Sequence, residues 1–366
     1  VVHLTLVPYL KAAKELKTKP TQHSVKMLLE YGIQPDILVC RTEHHINMEI
    51  RKKIALFCNV NINSVIESID ASTIYDVPLL MLNEKLDKTV LSKLKLAANK
   101  EPNLDSWKYF LGRLKNPTKD VRIGLVGKYV ELPDAYKSII ESFIHAGASN
   151  ECKVIVESIH SEHLNGDNAA ELLGHLDGVL VAPGFGGRGI EGKIDAIKYI
   201  REHRIPFFGI CFGMQCAAIE FARNVLNLEG AHTVEVAPET GHPVIDIMED
   251  QKGLTQKGGT MRLGAYDCQL EPESIAHMAY GKEMIQERHR HRYEVNNKYR
   301  EQLSATGLVF SGLSPDGNLV EFVELPKSVH PYYVGTQAHP EFLSRPTAAH
   351  PLFSGLIAAA IKKNGK

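Results

Sequence analysis

The sequence predicts an α/β protein whose larger part is a doubly wound, mostly parallel sheet. Between residues 119 and 366, short apolar segments alternate with longer amphipathic ones, the pattern of strands joined by crossover helices. One apolar segment ends in Gly-Ile-Cys-Phe-Gly at residues 209–213, where a strand is expected to turn sharply into a helix. A chain of 366 residues is long enough for about two domains.

Composition and charge exclude several classes of protein. The formal net charge is −1, so no bulk field attracts nucleic acid or an anionic membrane. No apolar run approaches the roughly 20 residues that span a bilayer. The six cysteines are scattered without metal-type spacing, which is typical of reduced thiols. We therefore expect a cytoplasmic protein that binds neither nucleic acid nor membrane.

Residues 1–112 form the first predicted domain. Its helix over 22–31 should end at Gly32, because glycine readily adopts the left-handed conformation found after a helix C-terminus. Because the chain opens inside an apolar strand, we expect it to be a fragment of a longer protein. The predicted elements are strands at 3–7 and 36–40 and helices at 22–31, 49–57, 88–98 and from 103 onward.

Residues 121–366 form the second predicted domain, and the polar, proline-containing segment 113–120 is the predicted linker. The predicted strands lie at 121–127, 153–159, 178–182, 206–210, 308–310, 320–324 and 333–337. The predicted helices lie at 134–147, 168–175, 190–203, 213–227 and 352–363.

The strand-to-helix turn suggests a cysteine nucleophile. The two glycines around Cys211 allow a tight turn, and the following helix N-terminus favours the thiolate. Far along the chain, His339 and Glu341 lie two residues apart, so that in an extended segment both side chains share a face. These three residues are a candidate Cys-His-Glu triad. The alternative, an ordinary buried cysteine, is disfavoured by the flanking glycines and the distant His-Pro-Glu.

A cysteine amidase also needs two backbone N–H groups for the developing oxyanion. One candidate is Phe212 at the start of the helix. The other is Gly184, in the glycine-rich segment 181–189 that follows a predicted strand. A phosphate-binding loop is the alternative for that segment, although it lacks both common phosphate-loop spacings.

Residues 287–294, Glu-Arg-His-Arg-His-Arg-Tyr-Glu, are dense in potential cations. An amino-acid substrate needs a cation for its carboxylate, which suits Arg292, and an acid for its ammonium, for which Glu235 is the candidate. By composition alone, a solvated face or an anion-binding patch remains the alternative.

Four blocks of sequence resemble the CTP synthase family. They are Gly-Ile-Cys-Phe-Gly-Met-Gln at 209–215, Gly-Gly-Thr-Met-Arg-Leu-Gly at 258–264, the run that begins at 287, and His-Pro-Glu at 339–341. The triad alone indicates a class I glutamine amidotransferase, whereas the second and third blocks are more specific to CTP synthase. The resemblance implies a class I glutamine amidotransferase domain, preceded by the C-terminal part of a P-loop-type α/β amidoligase domain.

The resemblance also implies roles for individual residues in the second domain. Block 258–264 resembles the lid region that responds to GTP. The sequence departs from the family's usual pattern at two places. Residues 182–186 are Ala-Pro-Gly-Phe-Gly, where the family often has Pro-Gly-Gly-Phe-Gly, and residue 338 is alanine, where an aromatic residue is common. The triad would be Cys211, His339 and Glu341, and the glutamine contacts would be Gly184, Phe212, Gly213, Met214, Gln215, Glu235 and Arg292.

In the first domain, the segment from Lys17 to Gln22 combines two lysines, a proline and polar side chains. Composition alone favours an ordinary polar loop that caps the following helix, and a triphosphate site is the less favoured alternative. The resemblance instead implies a UTP or CTP site, and it places the ATP adenine near Ile69, Asp70 and Ala71. The implied UTP and CTP contacts are Lys17, Thr18, Lys19, Pro20, Thr21, Gln22 and Lys53.

The implied reaction is that of a ligase of pyrimidine biosynthesis, the ATP-dependent amination of UTP to CTP with ammonia from glutamine. It would require Mg²⁺ and respond to GTP, and a homotetramer is expected. Because no phosphate loop or acidic metal ligands are visible, we expect no metal site in this chain and glutamine hydrolysis only. The alternatives are a stand-alone glutaminase or other cysteine-triad amidase, and a non-catalytic assembly subunit.

Overall fold

The computed structural model describes residues 1–97, 100–248, 261–363 and 365. They form two compact units, Val1–Asp105 and Ser106–Lys366. The division falls before the segment predicted as a linker, and that segment carries the end of a helix and the start of a strand. Within the described residues, no helix combines the length and apolar character needed to cross a bilayer.

The first unit contains a three-stranded parallel sheet in the order β1-β4-β5. Val25, Leu38 and Ile54 are buried in its core. Gly32 has a φ of 76° just after the first helix, as its sequence position predicts. The elements are β1 (Val2–Leu6), β2 (Tyr9–Leu10), β3 (Glu15–Leu16), α1 (Lys19–Glu30), β4 (Ile37–Thr42), α2 (Met48–Phe57), β5 (Val65–Ile69), α3 (Val77–Asn83) and α4 (Leu86–Lys93).

The second unit begins with a helix and continues as an α/β domain. Its first elements are α5 (Asp105–Lys115), β6 (Lys119–Gly127), α6 (Lys137–Ser149), β7 (Cys152–His160), α7 (Ala169–Leu173), β8 (Gly178–Val181), α8 (Ile190–Glu202), β9 (Phe207–Ile210), α9 (Phe212–Asn224) and β10 (His232–Thr233). The others are β11 (Pro243–Ile247), β12 (Arg262–Leu270), α10 (Ile275–Tyr280), β13 (Met284–His291), β14 (Tyr293–Val295), α11 (Arg300–Ala305), β15 (Val309–Leu313), β16 (Val320–Glu324), β17 (Tyr333–Thr336) and α12 (Pro351–Lys363).

A nine-stranded sheet organises the second unit, in the order β13-β12-β15-β16-β17-β9-β8-β6-β7. Strands β17, β9, β8, β6 and β7 are parallel. Strands β8 and β9 are buried throughout, as expected of central strands covered on both faces. Helices α7, α8 and α9 cover one face, and α6, α10 and α12 cover the other. The predicted doubly wound α/β architecture is confirmed.

The sequence predicted strands at 308–310 and 320–324, close to β15 and β16, but it did not predict β12 and β13 or the antiparallel extension that these four strands form. Its longest hairpin pairs Arg262–Gln269 with Met284–His291. Charged and polar residues alternate along β13, and the buried positions include histidines and a glutamate, so the strand carries little apolar signal.

Candidate active site

Cys211 lies at the turn between strand β9 and helix α9. Its φ of 50° and ψ of −101° place a non-glycine residue in a strained conformation, as expected of a nucleophile elbow. A Cβ atom added to Gly213 would lie 2.3 Å from the carbonyl oxygen of Val181, so only glycine fits there. The sulfur therefore stands at the N-terminal end of a helix, although the residue is only 3% exposed.

His339 and Glu341 reach the same edge of the sheet, because β17 pairs in parallel with β9. The backbone N–H of Cys211 donates to the carbonyl oxygen of Thr336, with 2.7 Å between nitrogen and oxygen. His339 Nδ1 lies 2.8 Å from Glu341 Oε1, and both side chains are buried. The strand ends thus bring together the three residues that the sequence put forward as a triad.

The His339 ring is poised to hold a proton. Burial has the largest single effect and lowers its pKa, but the charge and hydrogen-bonding capacity of Cys211, followed by Glu341, raise the pKa to about 10. Nε2 is buried and has no partner at hydrogen-bonding length within the described part of the chain. With this pKa, the ring is therefore protonated at pH 7.

The glycine-rich segment 183–189 follows β8, the strand that pairs with β9. Its Gly186 N–H donates to Glu235 Oε1 at 2.8 Å, and the Lys128 ammonium donates to the carbonyl oxygen of Phe185. Among the described residues, the N–H groups of Gly184 and Phe212 have no acceptor. Both donors are therefore available to an oxyanion.

Lys193 is a buried cation that the sequence analysis missed. Its Nζ donates to the carbonyl oxygen of Ala182 at 2.6 Å and lies 5.1 Å from the centre of the Phe212 ring. Burial lowers the pKa of this ammonium to about 8. Lys193 shares the buried face of α8 with Ile190, Ile194 and Ile197, so the helical spacing of the apolar residues could have predicted that this lysine is buried.

The residues proposed to contact glutamine occupy different depths. Met214 and Gly213 are fully packed under the elbow. Gln215 is also buried and donates to the carbonyl oxygen of Tyr293 at 2.9 Å. Arg292 is 6% exposed. In this conformation Glu235 holds the glycine-rich segment through its bond to Gly186.

The cation-dense run is not a continuous basic patch. Strand alternation exposes Arg288 and Arg290, whereas His289 and His291 face inward. Burial lowers the pKa of His289 to about 2 and that of His291 to about 3, so both rings are neutral at pH 7. The first expectation from composition, a dense cluster of charges, is therefore wrong for these histidines.

The block that resembles a GTP-responsive lid is described only in part. Residues 258–260 lie outside the described residues, while Arg262 and Gly264 belong to β12. Arg262 Nη1 lies 2.6 Å from Glu321 Oε1, and both side chains are buried. The backbone carbonyl oxygen of Glu321 accepts a hydrogen bond from the backbone N–H of Gln337 at 2.9 Å. Glu321 therefore connects Arg262 of this block to the end of β17, near Cys211.

In the first unit, two of the nucleotide candidates, Pro20 and Asp70, border a cavity at the carboxyl ends of parallel strands. The volume of this cavity is about 680 Å³, and Leu6 and Thr42 also line it. Ligands bind at such strand ends in open α/β sheets. Most of the remaining candidates belong to the start of α1 or the end of β5. The side chains of Gln22 and Thr18 share a hydrogen bond of 3.0 Å, and the Thr21 hydroxyl donates to the carbonyl oxygen of Leu6 at 2.9 Å. Lys19 is the first residue of α1, and Ile69 and Ala71 are the chain neighbours of Asp70.

The two other candidate lysines flank one carboxylate. Lys17 pairs with Glu15 and is the main cause of the lowered pKa of that carboxyl, to which the charge of Lys53 adds. The two lysines could offer two positive charges to a phosphate chain if the ion pair between Lys17 and Glu15 opened. Within residues 1–97, 100–248 and 261–363, no group of three His, Cys, Asp or Glu side chains could hold a metal ion.

Comparison with known proteins identifies the family. The model for "Glutamine amidotransferase class-I" matches residues 131–359, and the model for "CTP synthase N-terminus" matches residues 1–96. A CTP synthase of Cytophaga hutchinsonii is 65% identical over 360 residues, which are 98% of this chain and 66% of that protein. A CTP synthase of Flavobacterium johnsoniae is 60% identical over 366 residues, 100% and 68% of the two chains.

The chain belongs to the CTP synthase family. It spans about two thirds of the length of the curated relatives it matches. Among solved structures, the glutaminase domain of Trypanosoma brucei CTPS with bound acivicin is similar to it, with a TM-score of 0.62 and 38% identity. That likeness covers 66% of this chain and 94% of the other. The expectation that the N-terminal phosphate loop is missing is not borne out, because the family's N-terminal model matches residues 1–96.

Proposed function

We propose that the second unit hydrolyses glutamine through a Cys211-His339-Glu341 triad and supplies the ammonia for the ATP-dependent amination of UTP to CTP. The observation that carries the proposal is the strained cysteine at the start of α9, beside a histidine that a carboxylate 2.8 Å away holds in place. Membership in the CTP synthase family connects this amidase chemistry to nucleotide amination.

The proposed chemistry begins with the Cys211 thiolate, which attacks the carbon of the glutamine side-chain amide and forms a C–S bond. The carbonyl electrons move to oxygen, and the resulting oxyanion is stabilised by the N–H groups of Phe212 and Gly184. The His339 imidazolium then donates its Nε2 proton to the amide nitrogen, and ammonia leaves as the C–N bond breaks. Water, deprotonated by the neutral ring, hydrolyses the thioester to glutamate and regenerates the thiolate.

Access to the sulfur is part of the proposal. Because Cys211 is 3% exposed, glutamine reaches it only when the side chains and loop above it shift. Segment 183–189 is suited to this, since it is held by Lys128 and Glu235 at its surface and carries the 41%-exposed Phe185. Glu235 would exchange Gly186 for the substrate ammonium, while Arg292 would bind the substrate carboxylate.

In the first unit, we propose that the edge of the sheet around Pro20 and Asp70 binds the pyrimidine and adenine nucleotides. The cavity there and the lysines at positions 17 and 53 support the proposal. The described residues offer no cluster of metal ligands, so no step is assigned to Mg²⁺ within them. GTP activation through block 258–264 and a homotetramer are further parts of the proposal.

The decisive experiment is labelling by 6-diazo-5-oxonorleucine, a glutamine analogue that alkylates nucleophilic cysteines. Mass spectrometry should find the adduct on Cys211 and not on Cys216, a buried cysteine of the same helix whose pKa is raised to about 12, mainly by burial. Cys211→Ala should abolish both labelling and ammonia release. Failure of Cys211 to react would contradict the proposed glutaminase.

The nucleotide part is tested separately. CTP or UTP should raise the unfolding temperature of the first unit, and Lys53→Ala should weaken that effect. Lys93→Ala is a matched control, since Lys93 lies in α4 and lines a different cavity of the same unit. Equal protection of both variants would argue against the proposed nucleotide site. Light scattering on the intact chain, with and without nucleotide, measures the oligomeric state.

A further inference from the structure

Gln337 stands out among the buried side chains to which the proposed mechanism gives no role. It directly follows β17 and precedes His339 by two residues, so an extended backbone directs both side chains to the same face. Its side chain is 0% exposed. Its Nε2 lies 3.5 Å from Cys211 Sγ, within the range for an N–H···S hydrogen bond.

The neighbouring hydrogen bonds decide which end of the Gln337 amide faces the sulfur. Gln215 lies 2.9 Å from the carbonyl oxygen of Tyr293, which can only accept, so the contacting atom of Gln215 must be its NH₂ group. The same NH₂ group lies 3.1 Å from Gln337, which must therefore present its oxygen. The NH₂ group of Gln337 is consequently left to point at Cys211. The chain of bonds is anchored at one end by backbone, and neither amide can flip without losing a bond.

We infer that Gln337 is a positioning residue that donates an N–H to the Cys211 sulfur, stabilising the attacking thiolate and fixing its direction. This inference rests on the proposed function and deepens it. A hydrogen bond to the charged form of an acid favours that form. Once the C–S bond forms, the sulfur loses its charge and the bond weakens. When the thioester collapses, the same donor stabilises the departing thiolate. Gln337 thus acts on the sulfur, while Phe212 and Gly184 act on the substrate oxygen.

The test compares Gln337→Met, which removes the amide at similar volume, with Gln337→Glu, which keeps the shape and the acceptor for Gln215 but puts an oxygen against the sulfur. The readout is the rate at which iodoacetamide alkylates Cys211 between pH 5 and 10, followed by mass spectrometry of its peptide. For Gln337→Met we expect the midpoint of this profile to rise by about one pH unit, and therefore about tenfold slower alkylation at pH values below the wild-type midpoint. Gln337→Glu should shift the midpoint further, and kcat for glutamine should fall about tenfold or more in both variants, with KM changed less than twofold.

Other charged groups near the sulfur are the same in both variants. His339 faces it from the segment after β17, and Lys193 faces it from α8. Tyr332→Phe is the matched control for a lost buried hydrogen bond, since it removes a 2.8 Å bond to the Leu352 carbonyl oxygen at the other end of β17. It should leave the alkylation profile unchanged even if it lowers stability.

The outcomes distinguish the inference about Gln337 from the proposed glutaminase activity. If the diazo analogue labels wild-type Cys211 and both Gln337 variants keep the wild-type midpoint, the inference about Gln337 is wrong and the glutaminase stands. If Gln337→Met keeps the wild-type midpoint and only Gln337→Glu is shifted, a hydrogen bond from position 337 to the sulfur is not needed, and the inference is also wrong. If the analogue does not label the wild type, the proposed glutaminase itself fails.

Discussion

Removing the charge of Glu341 should weaken the proposed acid without changing its shape. The pKa of His339 is raised from 6.5 to about 10, a difference worth about 5 kcal/mol at 1.36 kcal/mol per unit. Cys211 has the larger share of that rise and Glu341 the smaller. Replacing the carboxylate 2.8 Å from Nδ1 by an amide should therefore lower the pKa by about 1–2 units, or about 1.4–2.7 kcal/mol.

The assay is ammonia release from glutamine, measured as kcat/KM from pH 6 to pH 11. A histidine with a raised pKa keeps its proton until the pH passes that pKa, so wild-type activity should decline only as the pH approaches 10. For Glu341→Gln we expect the alkaline decline to begin 1–2 units lower, so that kcat/KM at pH 11 falls about 10–100-fold below the wild type, whereas at pH 8 the loss of protonated ring lowers it by no more than about twofold. The fall reflects a smaller population of the protonated ring.

Glu157→Gln is the matched control. Glu157 Oε2 also lies 2.8 Å from a histidine, His175 Nε2, but this pair lies on the surface, with side chains 30% and 48% exposed. Its loss should change activity less than twofold. If Glu341→Gln retained kcat/KM within twofold of the wild type at pH 11, with the same alkaline limb, the assignment of Glu341 as the partner of the catalytic imidazole would be refuted.

Three further changes test the packing around the elbow. The unfolding free energy of the wild type, relative to that of Lys193→Met, should rise by about 3 kcal/mol between pH 7 and pH 10.5, because the folded chain loses the Lys193 proton near pH 8 and the unfolded chain only near pH 10.5. Urea unfolding of both proteins at the two pH values measures this rise, and a difference that does not change with pH would contradict it. Cys211→Gly should be about 1 kcal/mol more stable than Cys211→Ala, because glycine tolerates a φ of 50°, and equal stability would mean that the elbow is unstrained. Gly213→Ala should lose about 3 kcal/mol, since its Cβ would meet the Val181 carbonyl oxygen at 2.3 Å, whereas Gly166→Ala, in open space, should lose less than about 0.5 kcal/mol.

The parallel core could be predicted closely because its signals are local. Strand β9 and helix α9 were expected at 206–210 and 213–227 and lie at 207–210 and 212–224. Strands buried on both faces are almost wholly apolar, and the glycine-flanked turn has one common structural meaning. The antiparallel hairpin of β12 and β13 escaped prediction, because its inward positions hold Glu287, His289 and His291 in place of apolar residues.

For the site, the sequence alone supplied the reactive residue types and their spacing. Cys211 between two glycines, and His339 two residues before Glu341, could be read as one chemical unit without coordinates. The sequence could not show that Glu235 bonds to the glycine-rich segment, or that two of the five basic residues in the run are neutral, because these facts depend on which strand lies beside which. The direction of the Gln337 amide depends on Gln215 and Tyr293, residues from two distant segments. Burial and hydrogen-bond direction arise only when the strands pair and exclude water, and so they were decided by the tertiary structure.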